Sequence, residues 1–106
     1  MRIVEVVPPN PHWRSQFEAE ATAIAPILRE TLIALHHIGS TSIPGIYAKP
    51  IIDLLAEVRD LEQVDAQNSA LESLGYVAMG AYGIPGRRYF RKDNSAGVRT
   101  HHLHNF

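Results

Sequence analysis

The chain has no cysteine, no long apolar run and almost no net charge. Without cysteine, disulfide bonds and thiolate metal sites are both excluded. No apolar run approaches the roughly 20 residues of a membrane span, and no basic and apolar leader is seen, so we expect a cytoplasmic protein without membrane partners. The formal charge of −1 argues against a general nucleic-acid binder, which usually has a net basic surface.

Length and composition favour a single folded domain over residues 1–106. Hydrophobic residues make up 45% of the chain and charged residues 20%, which is typical of a globular protein with one core. A chain of this size must hold its structure together with that single core. We therefore expect a compact fold and no separate linker or tail.

The apolar spacing predicts an α/β domain, with a mixed β-sheet and helices packed on it. One apolar stripe recurs every three or four residues, as in a long helix, and comprises Trp13, Phe17, Ala21, Ile24, Leu28, Leu32 and Leu35. Asn10 is its expected N-cap, and Pro26 is expected to kink or break it near Ile24. A second helix is expected from the capping-box residue Asp60 to Gly75. Strands are predicted over residues 2–7, 35–38, 51–58, 76–79, 87–92 and 98–106.

A turn of small hydroxylated residues follows the strand that ends at Ile38. Gly39 has no side chain and lets an anion approach the backbone, while Ser40, Thr41 and Ser42 offer hydroxyl and amide groups. These four residues are the predicted phosphate-binding loop. The alternative is an ordinary turn in which the glycines only reverse the chain.

An acid on the next predicted strand accompanies this loop. Asp53 supplies the negative charge that a magnesium ion needs beside a triphosphate, and it is the candidate catalytic and metal-binding residue. Lys49 lies between the loop and Asp53 and is a further candidate phosphate contact, although an exposed lysine before a strand is common. The alternative for Asp53 is a strand-end acid that neighbouring amides satisfy.

Four motifs in this order resemble those of the GrpB family, a branch of the nucleotidyltransferase superfamily. They are Asn10-Pro11-His12-Trp13 with Phe17, the segment from His37 to Asp53, the segment Gly83 to Lys92, and Arg99-Thr100-His101-His102-Leu103-His104. The resemblance implies a nucleotidyltransferase-like mixed sheet flanked by helices. It also implies a nucleoside triphosphate as ligand, Mg²⁺ as cofactor and a hydroxyl or phosphate acceptor that is not identified.

Two further expectations come with the resemblance. Members of the family are also found fused to dephospho-CoA kinase, which hints at coenzyme A metabolism. The family has further helices after the position of Phe106, so the chain is expected to lack them. Their absence would leave apolar surface at the C-terminal edge, either exposed or covered by another copy of the chain or by another partner.

The acid strand departs from the superfamily pattern at Leu55. Active nucleotidyltransferases place two acids two residues apart on one strand face, where they bracket metal ions. Glu57 shares that face with Asp53, but four residues along a strand correspond to roughly 13 Å. Either another ligand completes the metal site, or the domain binds nucleotide without efficient catalysis.

The histidine strand offers the missing ligands. His102 and His104 alternate with Leu103, so their side chains should lie on one face, about 7 Å apart at the Cβ atoms. Imidazole favours zinc or another transition metal over magnesium. The hypothesis is that both rings face Asp53 and form a metal-binding site that could support hydrolysis. The alternative is a pair of histidines on a solvated sheet face.

A basic segment precedes the predicted hairpin turn at residues 93–97. Arg87 and Arg88 are candidate phosphate contacts, because arginine matches phosphate oxygens with a planar fork of donors. A charged edge strand that discourages aggregation would have the same sequence pattern. Three functions therefore stay open: nucleotidyl transfer, nucleotide binding without catalysis, and a histidine-centred metal site.

Overall fold

The computed structural model describes residues 5–106, which form one mixed sheet with three α-helices. The elements are α1 (Trp13–Leu28), β1 (Leu32–Ile38), β2 (Ile52–Val58), α2 (Leu61–Asp65), α3 (Asn68–Ser73), β3 (Tyr76–Ala78), β4 (Arg88–Asp93) and β5 (Arg99–Asn105), with 3₁₀ turns at Arg29–Thr31 and Ser40–Ser42. The strand predicted over residues 2–7 lies largely outside the described residues. Within them, Val7 forms an isolated antiparallel bridge with Ala48.

The five strands are arranged in the order β1-β2-β5-β4-β3. Strands β2 and β5 are parallel, and the other three neighbouring pairs are antiparallel. This arrangement confirms the predicted mixed sheet with helices packed on it. No helix within residues 5–106 has both the length and the apolar content that crossing a bilayer requires.

The helices cover one face of the sheet, which we call the covered face. Its side chains include Ile52, Leu54 and Ala56 of β2, and each is at most 2% exposed. The alternate residues of β2 lie on the opposite, open face, where Leu55 is half-buried and Glu57 is exposed. This central strand is therefore covered on one face only, although an apolar run with little alternation is typical of a strand covered on both faces. Its apolar run reflects one fully buried face and one partly polar face.

The first helix is shorter than predicted. α1 continues past the expected break near Ile24 and ends at Leu28, two residues after Pro26. Arg29 follows with a φ of 53°, a left-handed conformation that cannot continue the helix. Leu32 and Leu35, the last two members of the predicted helical stripe, belong to β1 instead. These two leucines fit the helical spacing because the apolar pattern gives no sign of the turn at Arg29.

The start of α1 agrees more closely with the prediction. The Asn10 side chain accepts a hydrogen bond from the His12 amide at 2.9 Å, as an N-cap does. The regular helix begins at Trp13, so its formal N-cap is His12, two residues after the predicted one. Differences of this size are usual where a helix opens with a turn.

The second predicted helix is divided into α2 and α3. Asp60 caps α2 as predicted, because its side chain accepts a hydrogen bond from the Glu62 amide. The Gln67 amide then bonds to the Val64 carbonyl three residues back, which tightens the chain and interrupts the helix. Gly75 ends α3 with a φ of +99°.

The β4–β5 hairpin contains a bulge that matters for the open face. Lys92 pairs with His101, but Asp93 pairs with Arg99, so Thr100 is an extra residue on β5. Because of this extra residue, the side chains of β5 before and after the bulge do not follow one simple alternation between the two faces. Arg99 therefore joins Asp93, to which it is ion-paired, and does not share a face with His101.

Candidate functional site

Parallel pairing of β2 and β5 brings an acid and two histidines together on the open face. Asp53 pairs with His102, and Leu55 pairs with His104. His102 Nδ1 lies 3.0 Å from Asp53 Oδ1, and His104 Nε2 lies 3.8 Å from the same oxygen. One ligand atom from each of the three residues lies within 4.8 Å of the other two. We call Asp53, His102 and His104 the Asp-His-His cluster.

The carboxylate of this cluster is held in its ionised form. Burial acts to raise the pKa of Asp53, but the imidazoles of His102 and His104 outweigh it and lower the pKa to about 2. In the neutral ring of His102, the proton on Nδ1 is donated to Asp53. His102 Nε2 is then left buried without a hydrogen-bond partner among the described residues. The cluster therefore contains one unsatisfied polar atom, which is costly in a site that has only a structural role.

Arg87 contacts His104, the third member of the Asp-His-His cluster. It is only 7% exposed, and its guanidinium donates to the carbonyls of Ala81 at 3.2 Å and Tyr82 at 2.9 Å. Its Nη1 also lies 3.4 Å from Nδ1 of His104. A guanidinium can only donate, so it favours the tautomer of His104 whose proton is on Nε2, the nitrogen nearer to Asp53. Arg87 is brought to the cluster, but most of its contacts hold the loop and His104.

Arg88, the other predicted phosphate contact of this strand, lies on the covered face. Its Nε donates to Asp65 Oδ1 of α2 at 2.8 Å. Successive residues of a strand point to opposite faces, so only one of the two arginines could reach the cluster. The structure therefore does not bring Arg88 to the site.

The predicted phosphate loop touches the cluster through its glycine. A Cβ atom added to Gly39 would lie 2.7 Å from Asp53 Oδ2. Gly39 also has a φ of 73° and a ψ of −174°, a conformation essentially reserved for glycine. A larger residue would therefore disturb Asp53 whether or not a phosphate binds. If a Gly39→Val variant lost nucleotide binding, that result alone would therefore not show that a phosphate group binds at Gly39.

The three hydroxyls of the loop are placed differently. Thr41 is buried, donates to the Ile51 carbonyl at 3.2 Å and lies 3.0 Å from His37 Nε2. Ser42 donates to the Gly39 carbonyl within the turn. Ser40 is exposed, and within residues 5–106 its hydroxyl has no hydrogen-bond partner. Two of the three hydroxyls are therefore engaged in holding the loop together.

Lys49 is exposed and makes no ion pair within the described part of the chain. Its carbonyl accepts a hydrogen bond from the Ile51 amide at 2.8 Å. The structure thus shows no contact between Lys49 and the Asp-His-His cluster.

A separate cleft of about 690 Å³ lies between the start of α1 and the loop. Its lining includes Trp13, Phe17, His37 and Ser42, but no member of the Asp-His-His cluster. The His37 ring stacks on Phe17 with a centroid distance of 4.8 Å. Burial lowers the pKa of His37, and the charge of Asp53 opposes that shift only in part. The loop therefore has one side against the cluster and the other against this cleft.

A second acid is missing from the cluster. Leu55 occupies the position where the superfamily pattern has a carboxylate, and Glu57 instead contacts His36 Nε2. Among residues 5–106, Asp53 is the one carboxylate in a group that could hold a metal ion. The ligand set is thus one oxygen donor with two nitrogen donors.

Tyr89 and Arg91 of the basic hairpin strand also border the cluster. The Tyr89 ring lies 5.2 Å from the His104 ring and 5.6 Å from the His102 ring, and Arg91 pairs with His102 across the hairpin. The hairpin turn at Asn94 is the sequence signal that indicates which residues of β4 lie opposite the histidines of β5. The Asn94 side chain binds the amides of Ala96 and Val98, which sets the register of the two strands.

Comparison with known proteins identifies the family. A family model described as GrpB protein matches residues 3–106. UPF0157 protein YqkA of Bacillus subtilis (strain 168) is 45% identical over 103 residues, or 97% of this chain and 29% of the relative. A dephospho-CoA kinase of Mycolicibacterium paratuberculosis (strain ATCC BAA-968 / K-10) is 30% identical over 76 residues, or 69% of this chain and 19% of that protein.

A solved structure agrees with this result. The crystal structure of the conserved protein GrpB from Enterococcus faecalis superposes with a TM-score of 0.92 at 46% identity, covering 96% of this chain and 61% of that one. The chain thus spans less than two thirds of the length of the relatives that it matches. The extent of the family match and the agreement in fold lead to one conclusion: the chain belongs to the GrpB family.

Proposed function

We propose that the Asp-His-His cluster binds a transition-metal ion such as Zn²⁺, and that this centre hydrolyses a phosphate ester or anhydride. The observation that carries the proposal is the convergence of three ligand atoms within 4.8 Å on the open face. A mixed nitrogen and oxygen ligand set suits zinc better than magnesium. Three protein ligands leave a fourth position for water or substrate, as in catalytic zinc sites.

Each ligand has a defined task in this proposal. The Asp53 carboxylate supplies the negative charge, and its lowered pKa keeps it ionised at neutral pH. His102 and His104 supply neutral nitrogen ligands. A zinc ion held by these three residues would act as a Lewis acid toward the substrate or a water molecule. The substrate class follows from the resemblance to nucleotidyltransferases, whose substrates carry phosphate groups.

Metal binding requires a change in both imidazoles. The nitrogens that face Asp53 must lose their protons, because only an unprotonated nitrogen can bind a metal. In His102 the proton then lies on Nε2, the buried atom without a partner. In His104 it lies on Nδ1, where the Arg87 guanidinium at 3.4 Å opposes it. For His104 to bind a metal through Nε2, Arg87 would therefore have to release this long contact.

Calorimetric titration with Zn²⁺ tests the proposal directly. The wild-type protein should bind one ion, and His102→Ala or His104→Ala should weaken binding at least about 100-fold, because a lost ligand costs more than a lost outer contact. His36→Ala is the matched control, since His36 is a histidine of the same sheet but contacts Glu57 and not the cluster. Equal zinc affinity in all four proteins would contradict the proposal.

The second candidate is Mg²⁺-dependent transfer of a nucleotidyl group from a nucleoside triphosphate to an acceptor that is not identified. It is favoured by the closeness of Gly39 to Asp53, which sets the predicted phosphate loop beside a carboxylate. The similarity to part of a dephospho-CoA kinase supports a link to coenzyme A metabolism. Leu55 disfavours efficient catalysis and favours a third candidate, a nucleotide-binding module without turnover.

Two measurements separate these candidates. A ligand that binds only the native state raises its apparent stability, so thermal melting with ATP, with and without Mg²⁺, detects nucleotide binding. Pyrophosphate release from ATP then distinguishes a transferase from a binding module. Absence of both effects, together with zinc binding by the cluster, would leave the metal-dependent hydrolase as the supported function.

A further inference from the structure

Tyr89 and Arg91 form the border of the cluster on the β4 side. Antiparallel pairing places Tyr89 opposite His104 and Arg91 opposite His102, so all four side chains lie on the open face. The Tyr89 ring is stacked beside His104 and lies at an angle to His102. The two β4 residues are therefore within reach of any group bound at the cluster.

Arg91 differs from the other arginines near it. Arg88 is ion-paired with Asp65, Arg99 is ion-paired with Asp93, and Arg87 is bound to two loop carbonyls. The half-buried Arg91 has neither an ion pair nor a side-chain hydrogen bond to any of the described residues. Its planar fork of donors is left available on the same face as the cluster.

Tyr89 offers a second donor. Its side chain is 7% exposed, and within residues 5–106 its hydroxyl has no hydrogen-bond partner. A phenol carries its proton at neutral pH, so the Tyr89 hydroxyl can donate. Tyr82 stacks on the other part of the ring at 5.5 Å, which limits its movement.

The charges around the Asp-His-His cluster favour the binding of an anion. Asp53 is the one carboxylate of the cluster. Arg87 contacts His104, and Arg91 lies opposite His102 on the same face. The nearby Arg99 and Asp93 neutralise each other as an ion pair. A divalent metal ion would add two further positive charges. Phosphate oxygens match the guanidinium fork in geometry and supply the negative charge that the site lacks.

We propose that Arg91 and the Tyr89 hydroxyl form an anion-binding subsite that holds a phosphate group of the substrate beside the Asp-His-His cluster. The subsite deepens the proposed function and rests on it for the identity of the reaction. The binding of phosphate itself can be measured without turnover. Arg91 binds the phosphate through charge and paired hydrogen bonds, and Tyr89 adds one neutral donor.

Titration of the full chain with inorganic phosphate, with and without saturating Zn²⁺, tests the subsite. Arg91→Ala should weaken phosphate binding about tenfold or more, because hydrogen bonds to charged groups are among the stronger ones. Arg91→Lys should recover only part of the affinity, since lysine keeps the charge but not the fork. Tyr89→Phe should weaken binding about threefold.

The controls keep failure of the subsite distinct from failure of the metal centre. Arg14→Ala removes an exposed arginine of α1, whose side chain is 86% exposed, and should change nothing. Zinc affinity should stay within about twofold in Arg91→Ala, and circular dichroism should show an unchanged fold. Unchanged phosphate affinity in a folded Arg91→Ala or Arg91→Lys overturns the subsite, as does a wild-type protein that binds zinc but no phosphate. Phosphate binding that depends on Arg91 without any zinc binding would support the subsite and overturn the metal centre.

Discussion

The two faces of the sheet each carry a polar cluster built around one carboxylate. On the covered face, the Glu20 carboxylate of α1 accepts from the Tyr76 hydroxyl at 2.7 Å and contacts Lys92 Nζ. His101 Nε2 lies 3.7 Å from the same carboxylate. On the open face, Asp53 is surrounded in a similar way by two imidazoles. The two clusters share their chemistry but differ in how completely their groups are paired.

In the covered cluster the groups around Glu20 satisfy one another. Lys92 also lies 4.9 Å from the centre of the Tyr76 ring, and Thr100 lies 2.8 Å from His101 Nδ1. On the open face, His102 Nε2, the Tyr89 hydroxyl and the Arg91 guanidinium have no partner among residues 5–106. Buried polar networks that are fully paired stabilise a fold, whereas unpaired donors on a partly exposed face are available to a ligand. The comparison therefore fits a structural role for the Glu20 cluster and the proposed binding role for the Asp-His-His cluster, although the covered face also holds one buried atom that is unpaired within the described residues, Asn105 Oδ1.

The largest expected effect is the loss of stability on substituting one of two neighbouring leucines. Leu54 lies on the covered face and is 0% exposed, whereas Leu55 lies on the open face and is half-buried. Leu54→Ala should lower the free energy of unfolding by about 3 kcal/mol, because it leaves a cavity. Leu55→Ala should lower it by about 1 kcal/mol. Urea unfolding of both variants measures the difference, and equal losses would show that the open face is also packed.

Metal removal should affect stability through the open face alone. At a zinc concentration about 100 times the dissociation constant, bound metal should stabilise the wild-type protein by about 2.7 kcal/mol. A chelator should therefore lower its melting temperature. The double variant His102→Ala with His104→Ala should melt at the same temperature with and without chelator. A drop of similar size in the variant would place the metal elsewhere.

Gly39 tests how tightly the loop is held against the cluster. Gly39→Ala should lower the free energy of unfolding by about 2 kcal/mol, because alanine is strained at this backbone conformation and clashes with Asp53. Gly45→Ala is the matched control, since Gly45 has a φ of +78° but no atom within 4 Å of an added Cβ. Its cost should be about 1 kcal/mol of backbone strain. Equal costs would show that the contact with Asp53 is not tight.

The smallest expected effect is the pH dependence of the covered cluster. Burial acts to raise the pKa of Glu20, but hydrogen bonds from Lys92 and Tyr76 outweigh it and lower the pKa below its usual 4.5. The folded state thus favours the ionised form, so the stabilisation is complete above about pH 4.5 and is lost as the pH falls through the lowered pKa. Glu20→Gln should therefore cost about 1.5 kcal/mol at pH 7.

Burial also lowers the pKa of His101, which adds to the acid sensitivity of the covered cluster. The unfolded chain takes up this proton more readily, so stability from His101 decreases as the pH falls below its usual 6.5. Urea unfolding between pH 3 and pH 8 measures both contributions. A Glu20→Gln variant whose loss of stability is the same at every pH would contradict the assignment to the Glu20 carboxylate.

Several elements could be read directly from local sequence. Asp60 and Gly75 bound the second helical region, and Asn94 with Gly97 forms the hairpin turn, because side-chain caps and left-handed glycines act on neighbouring residues. The alternation of His102 and His104 on one face also follows from strand geometry. The end of α1 could not be read in this way, since Pro26, the expected break, lies inside the helix and the apolar stripe continues into β1.

The sequence alone determined the kind of groups that are available: one acid on a strand, two alternating histidines, and arginines on the hairpin. Only the tertiary structure decided which of them meet. The parallel pairing of β2 with β5 brings Asp53 to His102, residues that are separated by 49 positions in the chain. The antiparallel pairing of β4 with β5 places Arg88 on the covered face and Arg91 on the open face with the cluster. Strand order and register depend on how the whole core packs, and no local pattern specifies them.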